Sequence, residues 1–205
     1  MRIEVKDICF RYDKKTPLLN NINLTIEAGE KVALVGPSGC GKSTLSQIIA
    51  GNLKPSSGEI LVDGNPLPRK GFCPIQMIYQ HPEKAINPRW KLHKTLTEAW
   101  EPDEQFLREL GIEQAWLNRY PTELSGGEMQ RFCIARALAP QTKFLICDEI
   151  STMLDVITQA QIWNKILAEA KERNMGIVAV THNLNLAKRI CTRVYDLAKC
   201  EEVGL

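Results

Sequence analysis

The run Gly36-Pro37-Ser38-Gly39-Cys40-Gly41-Lys42-Ser43 has the spacing of a phosphate cradle, G-x-x-x-x-G-K-[ST]. Glycines let the backbone curl until successive N–H groups point inward, and a helix beginning at the end of the run adds positive partial charge. Lys42 supplies a full charge, so the segment suits the β- and γ-phosphates of a nucleotide such as ATP. Ser43, followed by Thr44, offers a hydroxyl to a Mg²⁺ ion bridging the same phosphates. Cys40 lies inside this loop, near the helix start. It reads either as a small residue that fits the loop or as a thiol whose alkylation abolishes nucleotide binding.

A second chemical signal is FLICDE, residues 144–149. An apolar strand there delivers Asp148 and Glu149 at its C-terminal end, the edge at which ligands bind in open α/β sheets. An acidic pair before a helix is ordinary by itself. With a phosphate loop upstream, Asp148 reads as a holder of Mg²⁺ and Glu149 as the base that polarises water toward the γ-phosphate. A third signal is Leu124-Ser125-Gly126-Gly127-Glu128, ahead of the helical run EMQRFCIARAL. It predicts another exposed helix N-terminus, with Ser125 as N-cap or phosphate contact, and so a second anion site. One γ-phosphate does not need both sites from one chain.

These residues need elements to hold them. Alternation in Ile3, Val5, Ile8 and in Ile22, Leu24, Ile26 predicts two half-buried strands, and KVALV (31–35) predicts a fully buried one. Residues 44–50 read as a helix closed by Gly51, and 59–62 as a strand ending at Asp63-Gly64. Apolar runs at 76–79, 144–147 and 177–180 alternate with helical patterns at 128–138, 156–170 and 183–190. That order predicts an α/β fold, a mostly parallel sheet with helices on both faces. Between His81 and Pro121 lie three of the four tryptophans and helical stretches at 92–100 and 103–110, which predict a helical insertion. At 205 residues the chain has room for one full domain or one domain carrying an insertion, and none for a second large module.

Composition narrows the classes further. Lys and Arg number 26 against 24 Asp and Glu, a net of +2 that provides no global field for nucleic acid or acidic lipid. Seven cysteines without a CxxC pair indicate neither a disulfide framework nor a zinc site, and a reducing cytosol is expected. MRIEVKD places charges where a signal peptide needs apolar residues, and no apolar run approaches membrane-span length.

GPSGCGKST, the strand-end glutamine Gln80, LSGGEMQR, FLICDE and His182 in IVAVTH follow one another in the order of an ABC transporter ATPase, which the chain resembles over nearly its whole length. The resemblance implies a P-loop ABC-ATPase fold with an N-terminal antiparallel β part. The catalytic core would be residues 1–80 and 141–205, and the helical subdomain about 81–140. It also implies that Tyr12 stacks on adenine, although a strand aromatic packed in the core is the alternative. Gln80 would touch Mg²⁺ and the attacking water, and His182 the γ-phosphate. Two such domains are expected to pack head to tail, with Ser125, Gly126, Gly127 and Glu128 of one closing over the ATP of the other. ISTMLD (150–155) matches the segment that communicates across the dimer, with Ile150 in place of a proline and Met153 in place of a small residue.

MIYQHPEKAINPRW is similar to the peptide, opine and nickel importer branch of that family, in which this region faces the membrane partner. The branch implies two permease subunits, a solute-binding protein acting indirectly, and a cytoplasmic location on the inner face of the membrane. The ATPase partner is either a copy of the chain or a sister chain. The chain stops at Leu205, so any function in a C-terminal extension is expected to be absent. A soluble ABC ATPase acting on nucleic acid or ribosomes is the alternative, and a P-loop kinase is disfavoured by LSGGE and His182.

Overall fold

Alternating residues in the first part of the chain form two antiparallel strands, β1 (Arg2–Phe10) and β2 (Leu19–Glu27), with Ile3 opposite Ile26 and Val5 opposite Leu24. The computed structural model describes residues 1–13, 16–68, 70–150 and 154–203. Strands β4 (Ser57–Val62) and β5 (Asn65–Pro66) extend the pair into a sheet of order β2-β1-β4-β5 among the described residues. At the β1–β4 irregularity, Gly58 has φ 86°, and a Cβ there would lie 2.4 Å from the carbonyl oxygens of Lys6 and Asp7. Only glycine allows that approach.

The second sheet is built on β3 (Lys31–Val35), β6 (Ile75–Ile78), β7 (Phe144–Asp148) and β8 (Gly176–Val180). The hairpin β9 (Arg193–Asp196) and β10 (Glu201–Val203) completes it in the order β10-β9-β3-β8-β7-β6. All neighbours are parallel except β9 and β10. Strand β3 therefore lies between strands from late in the chain, a pairing that no local pattern announces.

Helices α1 (Lys42–Ile49), α4 (Gly126–Ala137), α5 (Val156–Arg173) and α6 (Leu184–Ile190) lie close to their predicted places. Between β6 and α4, the described elements are α2 (Leu92–Thr97), α3 (Glu104–Glu109) and short 3₁₀ turns, with no strand among the described residues. Helix α2 ends before residue 100, where its pattern would take it, and Glu101, the residue before Pro102, is disfavoured in helix, whereas α3 ends within one residue of its pattern, ahead of Gly111 at φ 67°.

The parallel sheet carries helices on both faces, as expected, and on one of them an antiparallel sheet packs beside the helix. Ala33, Val35, Leu145, Cys147, Ile177 and Ala179 face a core shared with the helices α2 to α6. The alternate residues Val32, Leu34, Ile146, Val178 and Val180 face α1 and the antiparallel sheet instead. Pleating sends neighbouring side chains to opposite faces, and the apolar side of β1, β2 and β4 needs a partner.

Candidate active site

The cradle runs from the end of β3 into α1. Gly36, Gly39 and Gly41 have φ 143°, 83° and 103°, a left-handed sequence that turns amides to one side. Gly41 is the N-cap of α1, and a Cβ there would come 2.7 Å from Leu19 Cδ2. Lys42 is 9% exposed and donates from Nζ to the carbonyl oxygens of Gly36 (2.8 Å) and Pro37 (2.9 Å), which holds the ammonium across the loop. Cys40 is half-buried, with its sulfur over Gly36: a Cβ on that glycine would meet it at 2.8 Å.

Strands β3 and β7 flank β8, so the start of α1 and the end of β7 face each other. Ser43 Oγ donates to Asp148 Oδ1 at 3.2 Å. Asp148 is buried, and burial pushes its carboxyl above the usual carboxylate range, partly offset by the Ser43 hydroxyl. A hydroxyl and a carboxylate oxygen side by side are the hard donors that Mg²⁺ prefers. Among the described residues no group of three or more His, Cys, Asp or Glu could hold a metal by itself, so such an ion needs phosphate oxygens or water to complete its shell.

Glu149 stands next to Asp148 in left-handed backbone, φ 48°, and its N–H donates to Val180 O at 3.1 Å. Its carboxylate is held from two sides. Gln80 Nε2, just past β6, donates to Oε2 at 3.1 Å, and His182 Nδ1, just past β8, lies 3.4 Å from Oε1. His182 is 72% exposed at its side chain, as a group at a site mouth would be. The ends of three neighbouring strands thus bring together Gln80, Glu149 and His182, beside Asp148 and Ser43.

Tyr12 lies two residues beyond β1 rather than in it. It is 74% exposed, which removes the packed-core alternative, and its hydroxyl shares a hydrogen bond with Thr44 Oγ1 at 3.2 Å while its ring meets Phe10 edge-on. The aromatic face therefore lies beside the first turn of α1.

Ser125 caps α4 as expected. Glu128 N donates to its Oγ at 3.3 Å, and Ser125 N donates to Glu128 Oε2 at 2.7 Å. That second bond holds the Glu128 carboxyl below its usual range. Residues 125–128 line a separate cleft of about 380 Å³ with Arg131, Leu154, Asp155 and Thr158, none of which belongs to the cradle. Asp155 caps α5 by accepting from Ile157 and Thr158 N–H, each at 3.0 Å. Ile150 is buried, whereas Met153 lies outside the described residues, with Ser151 and Thr152.

Two residues that the sequence did not single out tie these parts together. Buried Gln130 donates to Tyr79 O at 3.0 Å, linking α4 to the backbone before Gln80. Arg131 reaches Thr158 Oγ1 at 3.4 Å and the carbonyls of Leu110 and Gly111, joining α4 to α5. Both are polar positions in a helical pattern, and only the tertiary packing shows their targets.

A glycine-rich strand-to-helix loop with lysine, serine and a buried aspartate at the adjacent strand end defines a P-loop nucleotide hydrolase. The family model for ABC transporters matches residues 19–152. The nickel import system ATP-binding protein NikE of Staphylococcus aureus is 35% identical over 95% of this chain and 86% of its own length. A dimeric ATP-binding cassette in a post-hydrolysis state, bound to ADP and Pi, aligns with TM-score 0.80 at 27% identity, covering 95% of this chain and 93% of that one. The cbiO1 protein of Clostridium perfringens, part of the ABC transporter complex cbiONQ, aligns with TM-score 0.75 at 26% identity, covering 98% and 86%. The chain belongs to the ABC transporter family, as an ATP-binding, ATP-hydrolysing subunit. Among the described residues no helix is long and apolar enough to cross a membrane.

Proposed function

We propose that this chain powers an ABC importer for nickel, peptides or opine-type metal chelates, and that it works as one of two ATPase subunits on the cytoplasmic side of two membrane permeases. A solute-binding protein would deliver the cargo. The importer assignment draws on the similarity to NikE and on the QHPEKAINPRW segment after β6, which starts at Gln80 and would face the permease. Residues 1–80 and 141–205 would act as the catalytic core and about 81–140 as the helical subdomain.

The observation that carries the hydrolytic reading is the Glu149 carboxylate held between Gln80 at 3.1 Å and His182 at 3.4 Å, one residue from Asp148. In this reading Lys42 and the amides of Gly36 to Thr44 grip the β- and γ-phosphates, with Pro37, Ser38, Gly39, Cys40 and Gly41 shaping the loop, and Tyr12 lies against adenine. Ser43, Asp148 and Gln80 would hold Mg²⁺, which when bound neutralises phosphate charge. Glu149 takes a proton from the attacking water, while Gln80 and His182 fix its aim, and His182 also reaches the γ-phosphate. Ser125, Gly126, Gly127 and Glu128 present a capped helix N-terminus to the ATP of a second subunit, a copy or a sister chain. Nucleotide then acts as the charge that holds the pair together, and hydrolysis loosens it.

Glu149→Gln tests the base. An amide cannot take the proton, so turnover is expected to fall by about 10²- to 10⁴-fold while ATP binding persists. Steady-state hydrolysis and equilibrium nucleotide binding read the two quantities, and unchanged turnover removes Glu149 from this role.

A further inference from the structure

A cavity of about 140 Å³ is lined by Glu149 together with residues of α5 and of the β8–α6 connection. Its wall includes Glu149, Gln159, Trp163, Thr181, His182 and Asn183. Gln159 and Trp163 are one helical turn apart on α5, so they share the face that looks toward the catalytic strand ends. Trp163 is 5% exposed, and its buried Nε1–H has no hydrogen-bond acceptor among the described residues.

An indole N–H is a donor only, and a buried donor without an acceptor is disfavoured. Ordered water answers such a group where the space is polar and large enough. This space meets both conditions. It exceeds several-fold the roughly 30 Å³ that one water takes in the liquid, and its wall carries a carboxylate, two amides and a hydroxyl. Thr181 Oγ1 already accepts from Asn183 N at 3.0 Å, and Asn183 Oδ1 from Leu186 N at 3.1 Å. The acceptor of greatest negative charge on the wall is the Glu149 carboxylate.

We propose that this cavity binds water anchored on Trp163 Nε1–H, and that the bound water braces the Glu149 carboxylate. Trp163 is then a positioning residue for the attack step, acting through water and touching neither ATP nor the reacting atoms. The functional half of this inference rests on Glu149 being the base. The hydration of the cavity does not.

Two measurements test it. A high-resolution crystal structure of the chain is expected to show ordered water about 2.7–3.2 Å from Trp163 Nε1. Trp163→Phe keeps an aromatic ring and removes the N–H, so kcat for ATP is expected to fall about three- to tenfold, the factor of one hydrogen bond, with KM unchanged. A dry cavity, an unchanged kcat, or a loss of ATP affinity as large as the loss in kcat would each overturn the proposal. If Glu149→Gln left turnover intact, the base assignment would fail instead, and the crystallographic water would still decide whether Trp163 anchors it.

Discussion

Glu149 combines an uncommon backbone conformation, φ 48°, with a side chain held at both oxygens. Such an arrangement makes the carboxylate's aim as important as its acidity. Glu149→Asp separates the two: the acid stays, but its oxygens withdraw by one methylene from Gln80 and His182. Turnover is expected to fall by about 10²-fold, as misplacement by an ångström does elsewhere, with ATP affinity retained. Lys42→Ala probes the cradle instead. The lost charge-assisted contacts are expected to weaken ATP binding by about ten- to hundredfold in equilibrium titration, and an unaltered dissociation constant would refute the cradle. Cys40 sits half-buried over Gly36, within the same loop. Bound ATP is expected to slow its alkylation, followed by mass mapping because exposed Cys200 also reacts, and no protection at Cys40 would count against the loop assignment.

At the scale of elements, helix starts and strand ends do the positioning. Gly41→Ala would force a side chain into left-handed backbone and against Leu19, so both melting temperature and nucleotide affinity are expected to drop. Ser125→Ala would remove the cap of α4 at a cost of about 1 kcal/mol in stability, read by denaturant unfolding. Much of this was legible beforehand, because a cradle, a capping serine and an acidic strand end are local patterns, each set by residues a few positions apart. The end of α2, the two-residue strand β5 and the C-terminal hairpin were not. Arg193 to Asp196 carries only two buried apolar residues in a row, and its strand character comes from pairing with β3 rather than from its own composition. Trp163 was equally silent: its spacing marks the buried side of a helix, and nothing in that spacing says that a cavity lies against it.

Over the whole molecule, the central sheet separates two cores, one packed by helices and one by α1 and the antiparallel sheet. Phe132 in α4 is fully buried in the first, so Phe132→Ala is expected to cost about 3–5 kcal/mol in unfolding free energy. The proposed partners belong to this scale as well. Affinity capture of the intact chain from its own membranes is expected to recover integral permease subunits, and recovery of nucleic acid in their place would sink the importer reading.

Strand β3 leads straight into the cradle and is clamped between β8 and β9, which are made long after it. A nascent polypeptide emerging from the ribosome therefore holds its triphosphate loop without the walls that shape it until residues near 196 are free. Competence to grip ATP thus arrives only once β9 has been made, and products truncated before it would be idle rather than wasteful consumers of fuel.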